Sequence, residues 1–418
     1  MIPPLGVSTP TARLGWLDVL RGWAALAVAL HHASYVYLPD VRIGLQGWFD
    51  PGTYGVLVFF LVSGYIVPAS LERRESVRGF WIGRFFRIYP LLAVSCLLAV
   101  LPFLLGVRGL RAGLEHYHPA TAILAHATML QDLLAVPNAM NVLWTLSYEM
   151  AFYLLVVALF VVGVHRRSAP VSVGLTAAAV MVGGLLPTWL LSGLLSRTAG
   201  VGVVVAACFA ALAAAIAAAV SGRAPARLAG GLLGGLVAAV LVLLNGRVGA
   251  WQGLAMMALM FAGTAVYRAE HGQIPAWSGR AAAVLVPAGS LAAGVWNMHG
   301  DWHAQLVWAG TVLTATATFA AGWLLRHRRF PRWATGLGTA SFSIYLLHPL
   351  LLMVAAQFLG RSSGREDVPG LLVFVAVLLA AGWASQRWIE APAQRLGRRL
   401  ARRAPSSAAE SPVLAASP

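Results

Sequence analysis

The chain has 418 residues, of which 59% are hydrophobic and only 11% charged, and its formal net charge is +16. That mix excludes an ordinary water-soluble domain. The charge is not a nucleic-acid footprint either: all 30 basic residues are arginine, gathered in alternate connections between apolar runs, as in the cytoplasmic loops of membrane proteins. The expected fold is all-α, a polytopic membrane protein of about 10–12 spanning helices with both termini cytoplasmic and the lipid bilayer as its surroundings.

The first apolar run, 14–37, follows a short segment, 1–13. It carries Asp18 and Arg21 near its start and His31 and His32 near its far end. Asp18 and Arg21 are three residues apart and share a helical face, so they can pair. Ionisable groups at membrane depth are expensive and usually face a protein interior or a water-filled cavity. The second span, about 54–71, leads into the most basic connection, where Arg73, Arg74, Arg78, Arg84 and Arg87 fall within 15 residues. Placing that connection in the cytoplasm puts the N-terminus inside and His32 toward the outer side.

A third span covers about 81–105. The outer stretch 106–141 then carries His116, His118 and His126, and its apolar part, 121–134, is too short to span comfortably and reads as a re-entrant or interfacial helix. The fourth span, about 142–164, ends at His165-Arg166-Arg167. Three spans rich in Ala, Gly, Val and Leu follow near 170–192, 199–220 and 228–244, where small residues suit close helix packing. Five more lie near 251–266, 281–296, up to 325, 337–358 and 370–388. The membrane domain is expected over 14–395, and the Arg-, Ala-, Ser- and Pro-rich tail, 396–418, reads as disordered. On this topology 23 arginines lie inside and 7 outside.

Four motifs carry residues of chemical interest. Leu17-Asp18-x-Leu20-Arg21-Gly22 precedes an apolar run that ends at His32. Arg84-x-x-Arg87 places two guanidinium forks on one helical face, a shape suited to bidentate phosphate binding. Trp144-Thr145-Leu146-Ser147-x-Glu149-x-x-Phe152-Tyr153 sets a carboxylate inside an apolar helix, where it must be protonated or find a basic partner. In Ser341-Phe342-Ser343-Ile344-Tyr345-Leu346-Leu347-His348-Pro349, Ser341, Tyr345 and His348 fall at i, i+4 and i+7 and form one polar stripe.

In order and spacing these motifs resemble those of the acyltransferase 3 family, integral-membrane enzymes that transfer acyl groups to sugars and related acceptors. The resemblance runs from about Leu17 to Pro392, where Arg387-x-x-Glu390-x-Pro392 is similar to the family's closing Glu-x-Pro. It implies an O-acyltransferase of a bacterial plasma membrane, with acyl-CoA (acetyl-CoA foremost) as co-substrate and a carbohydrate or glycoconjugate as acceptor. It further implies that His32 is the base, with His31 in a usually apolar position and Glu149 as an orienting or charge-balancing partner. Arg84 and Arg87 would hold the donor's phosphates, although Gly83 stands where the family commonly has a further arginine. Asp18, Arg21, Tyr345 and His348 are candidate supporting residues.

His299 and His303 are four apart, as in a helical metal pair, but have no nearby third ligand, and no metal is expected. The rival class is a twelve-helix secondary transporter, whose buried charges would line the substrate path. The second half of the chain shows no obvious repeat of the first, which counts against it. At ~1.5 Å per residue, His32 lies roughly 16 Å beyond Arg21 along the helix, out of reach of chemistry confined to the cytoplasmic surface. A continuous polar cavity from Arg84 to His32, with Glu149 and His348 in its wall, is therefore the expectation.

Overall fold

The structure, a computed structural model, describes residues 15–73, 76–358 and 366–402. Among these residues it is built of helices, with no strand. The first run is α1 (Gly15–Tyr37), followed by a short surface helix, α2 (Pro39–Gln46). Then come α3 (Pro51–Glu72), α4 (Val77–Leu104), α5 (Pro119–Thr128) and α6 (Trp144–Val161). The small-residue region forms α7 (Ser168–Met181), α8 (Leu190–Thr198), α9 (Val201–Ala219) and α10 (Ala224–Leu244). The remainder is α11 (Ala250–Glu270), α12 (Ala276–Asn297), α13 (Trp302–Leu324), α14 (Arg332–Thr339), α15 (Ser341–Phe358), α16 (Val368–Ser385) and α17 (Ala391–Arg402).

Each of the twelve expected spans coincides with a helix or a bent helix pair. By length and composition nine helices among the described residues can cross a membrane, or eleven if each bent pair is one span. This is a polytopic helical membrane protein. The 23-residue α1 is outside that count. Asp18, Arg21, His31 and His32 lower its hydropathy, although at ~1.5 Å per residue it is long enough to span. The fifth span is broken, with the helix segments after Ser168 meeting at 47°, and α14 meets α15 at 66°.

α3 and α11 form the centre. Buried residues make up 89% of the most apolar stretch of α11, against 17% for peripheral α9. Their backbones touch through paired glycines: a Cβ on Gly64 would lie 1.8 Å from the Met260 carbonyl oxygen, and one on Gly263 would lie 2.4 Å from that of Leu61. Thr264 Oγ1 donates to the Gly64 carbonyl at 2.8 Å across the same contact. Small residues permit this close approach, which supplies packing where lipid offers no hydrophobic gain. α1 joins the centre in the same way, since a Cβ on Gly55 of α3 would lie 2.7 Å from the Ala24 carbonyl oxygen. On its other side α1 meets α14, where a Cβ on Gly338 would lie 1.9 Å from the Asp18 carbonyl oxygen.

Part of the segment expected to be disordered, residues 396–402, is helical. A π-helical segment, Gln386–Glu390, joins α16 to α17, which is helical through Arg402 and packs on α4. Gly397 makes that packing possible, since a Cβ there would meet Phe86 Cβ at 2.6 Å. Glu390 is buried and accepts a hydrogen bond from the Ser343 hydroxyl, tying the start of α17 to α15. The segment 1–13 and residues 403–418 lie outside the described residues.

Candidate functional site

Two polar clusters lie along α1 and α15. The first is a cavity of about 250 Å³ at the arginine-rich end of the bundle. Arg84 and Arg87 from α4, Arg21 from α1, Arg398 from α17 and Glu149 from α6 all line it, with Ser70, Thr145, Ser341 and Tyr345. Arg84 is held in place before any ligand arrives. Its Nη2 donates to Ser70 Oγ at 2.8 Å, and its guanidinium lies 5.3 and 5.1 Å from the Phe80 and Tyr153 ring centroids. Four guanidinium groups against one carboxylate give the cavity a net positive lining, and planar forks have the shape to meet phosphate.

Glu149 finds its partner on its own helix: the Tyr153 hydroxyl, one turn on, donates to it. The arrangement differs from the expected Glu149–His32 pairing. Asp18 is buried against α14, whereas Arg21 reaches the cavity. Arg398 gave no signal in the sequence, because the segment carrying it, 396–418, reads as a disordered tail, and Gln394 stands just before it; the amphipathic spacing of Arg395, Arg398, Arg399 and Arg402 is the clue that could have found the helix.

The second cluster surrounds His32 and lies farther along the same helices. His32 Nδ1 is 2.9 Å from His348 Nε2, with the two rings stacked at a centroid distance of 5.1 Å. His32 Nε2 is 3.5 Å from Asn141 Nδ2, and Arg111 Nη2 donates to Asn141 Oδ1 at 2.8 Å. His348 is fully buried, and its Nδ1 is 3.2 Å from the Ile344 carbonyl oxygen. His31 takes a different partner, with its Nδ1 3.6 Å from the Asp50 carboxylate. That carboxylate caps α3 by accepting from Gly52 N at 2.8 Å and Thr53 N at 3.2 Å, an arrangement typical of a helix N-terminus.

The connection carrying Asn141 is fixed from both sides. Ala139 N–H can only donate, so His126 Nε2 accepts it at 3.0 Å, and His126 Nδ1–H donates to the Ala122 carbonyl at 2.8 Å. Burial holds the His126 pKa below its ordinary value, consistent with a neutral ring. Nearby, Asp132 accepts from Asn138 Nδ2 at 2.7 Å and lies 3.7 Å from Arg247. Burial raises the Asp132 carboxyl pKa, with Asn138, Arg247 and Arg111 pulling it back.

The clusters do not share a continuous cavity. Neither His32 nor His348 lines the arginine cavity, which ends at Tyr345 and Thr145. There Thr145 Oγ1 and Tyr345 Oη lie 2.7 Å apart, and the Tyr345 hydroxyl lies 3.0 Å from the Val142 carbonyl oxygen. Phe59 flanks this polar contact, with its ring 5.7 Å from that of Tyr345. His348 lies three residues beyond Tyr345, so at ~1.5 Å per residue about 4.5 Å of helix separates the cavity wall from the histidine pair.

Comparison with known sequences places this geometry in context. The sequence model of a family described as an acyltransferase domain, acyltransferase 3, matches residues 14–385. The acyltransferase MdmB of Streptomyces mycarofaciens is 35% identical over 157 residues, which are 37% of this chain and 39% of that protein. The nodulation protein 10 of Rhizobium leguminosarum bv. viciae is 32% identical over 154 residues, 33% of this chain and 41% of that protein. The peptidoglycan O-acetyltransferase OatA of Listeria monocytogenes is 28% identical over 152 residues, 33% of this chain and 23% of that protein. The chain thus spans less than half the length of each of these relatives. No solved structure matches.

Proposed function

The chain belongs to the acyltransferase 3 family, and on that premise we propose that it is a membrane O-acyltransferase moving an acyl group from acyl-CoA to a hydroxyl of a carbohydrate or glycoconjugate. The observation that carries this reading is the pairing of two sites on shared helices. A guanidinium-lined anion cavity lies one polar contact away from a histidine whose ring is held by a second histidine. Arg84, Arg87, Arg21 and Arg398 bind the phosphates of the donor. The thioester end passes Tyr345 and Thr145 when their hydroxyls part, and the acceptor approaches His32 from the opposite, outer side.

The chemistry is a balanced acyl transfer. The acceptor hydroxyl gives its proton to His32, its oxygen bonds the thioester carbonyl carbon, the carbon–sulfur bond breaks, and the CoA thiolate takes the proton back from His32. The products are an ester and free CoA thiol. Names among the relatives support an acyl acceptor of polysaccharide type, since the Listeria protein is a peptidoglycan O-acetyltransferase. A bacterial plasma membrane fits the family and the arginine asymmetry.

The test is acyl transfer by the purified protein in nanodiscs, with labelled acetyl-CoA and a panel of oligosaccharides. It is paired with mass spectrometry of cell glycans and glycolipids with and without the protein. Release of CoA thiol coupled to acylation of a hydroxyl supports the reading. Solute flux across proteoliposomes without thiol release would support the transporter instead.

A further inference from the structure

Five groups, His32 among them, form a chain of hydrogen bonds whose direction can be read from either end. At one end Arg111 can only donate, so the atom facing it on Asn141 is the amide oxygen, 2.8 Å away. The other amide atom, Nδ2, then faces His32 Nε2 at 3.5 Å and can only donate. Nε2 must therefore carry the lone pair. At the other end the Ile344 carbonyl can only accept, so the His348 nitrogen 3.2 Å from it, Nδ1, carries the hydrogen. In a neutral ring His348 Nε2 is then an acceptor, and the hydrogen in the 2.9 Å contact belongs to His32 Nδ1. The two deductions share no atom outside the His32 ring, and they give the same tautomer. The reverse tautomer would set two lone pairs against each other at Ile344 and two donors against each other at Asn141.

We propose that Arg111, Asn141 and His348 together fix His32 as the tautomer with Nδ1 protonated and Nε2 free, and that Asn141 Nδ2 positions the acceptor hydroxyl for deprotonation at Nε2. The proposal rests on the acyl-transfer reading and assigns roles to Arg111 and Asn141, which lie outside its motifs. The geometry suits the task. With Nε2 and Nδ2 3.5 Å apart, a hydroxyl oxygen about 2.8 Å from both completes a triangle. Its hydrogen then points to Nε2 while its lone pair accepts from the amide. His32 is half-buried whereas His348 is fully buried. The ring that meets the acceptor is the more accessible one, and the ring that only orients is sealed away. When Nε2 takes the proton, His348 Nε2 still accepts from Nδ1–H, so the imidazolium keeps its partner. The Arg111 guanidinium, held one residue away behind Asn141, polarises the amide so that its N–H donates more strongly. Asn141 and His348 act through His32 or on the acceptor; the catalytic residue among them is His32.

The direct test is ¹⁵N NMR of histidine-labelled protein in nanodiscs, with His32 assigned by comparison with His32→Gln. The proposal expects a protonated Nδ1 and an unprotonated Nε2 at His32 in the resting protein. A protonated Nε2 overturns it. His348→Gln can still accept from Nδ1–H through its amide oxygen and should retain the tautomer and lose less than tenfold in transfer rate. His348→Leu cannot, and should scramble the tautomer and lose on the order of 10²–10⁴. Asn141→Asp offers Nε2 an acceptor in place of a donor. It should move the hydrogen to Nε2 and lower kcat/KM for the acceptor by at least tenfold while leaving KM for acetyl-CoA within twofold. If His348→Gln and His348→Leu lose activity equally with an unchanged His32 spectrum, His348 only packs and the positioning role is refuted. The NMR result does not depend on turnover. The expected tautomer without any acyl transfer would therefore sink the enzymatic reading alone, and transfer with the opposite tautomer would sink this inference alone.

Discussion

Arg84 offers the sharpest test of the proposed donor site, because its environment shows what a lysine could not do. Its Nη2 donates to Ser70 Oγ at 2.8 Å while the guanidinium lies near the faces of Phe80 and Tyr153. The rest of the fork remains free to meet two phosphate oxygens in one plane. A lysine has three donors on a single nitrogen at the end of a flexible stem, so it cannot hold Ser70 and grip a phosphate bidentately. Losing one charge-assisted hydrogen bond costs about 1.5–3 kcal/mol, equivalent to roughly a 10- to 150-fold rise in Kd. Arg84→Lys should weaken acetyl-CoA binding by at least tenfold, and Arg84→Ala should weaken it further. Isothermal titration of acetyl-CoA into protein in nanodiscs measures both, with Arg280→Ala as a control because Arg280 lines a separate apolar cavity. Affinities within twofold of the parent for both Arg84→Ala and Arg87→Ala would return these arginines to the role of interface anchors.

His32→Ala should lose on the order of 10²–10⁴ in transfer rate while the protein inserts normally, and His31→Ala much less, since His31 pairs with Asp50 and not with the His348 ring. Equal losses in a transfer assay would mean that the wrong histidine has been chosen or that both are structural. Arg398→Glu reverses a charge that α17 brings to the cavity and should raise KM for acetyl-CoA at least tenfold with an unchanged unfolding temperature; an unchanged KM would make α17 a mere surface helix. Gly64→Ala forces a Cβ to within 1.8 Å of the Met260 carbonyl oxygen. It should destabilise the fold by about 1–3 kcal/mol, seen as a lower melting temperature in detergent, and no shift would show that α3 and α11 can part freely.

The membrane fold was legible because its signals are local. Apolar length alone placed the fourth span within a few residues of α6. The bends were not legible, because no proline stands at the 66° break between α14 and α15 to mark it. The same distinction holds for the site. The i, i+4, i+7 stripe of Ser341, Tyr345 and His348 forms as spacing dictates, with the first two in the cavity wall and the third against His32. Which residue His32 would meet depends on the register between α1 and α15, and no one-dimensional spacing encodes that. Glu149 was a reasonable partner by chemistry, yet it lies one turn from Thr145 on the cavity side of the Tyr345 contact. Asn141 and Arg111 gave no signal, since a polar residue in a connection between spans is ordinary until its neighbours are known.

The same packing bears on how the donor could pass between the clusters. A transporter of this size opens its path by rocking one bundle against another. Here α1, which carries residues of both clusters, is locked backbone to backbone to α3 at Gly55 and to α14 at Gly338, and α3 is locked to α11 at Gly64 and Gly263. Sliding any of these pairs would forfeit contacts that have no hydrophobic replacement in lipid. Parting the Tyr345 and Thr145 hydroxyls breaks two neutral hydrogen bonds, each with a net worth of about 0.5–1.5 kcal/mol. Turning the buried Tyr345 ring, by contrast, leaves each of these helix contacts in place. An arm as slender as the thioester end of CoA could use such an opening, whereas a bulky solute could not. The rigidity of the scaffold and the softness of that single contact together favour a donor arm threaded to a fixed base over a solute carried across.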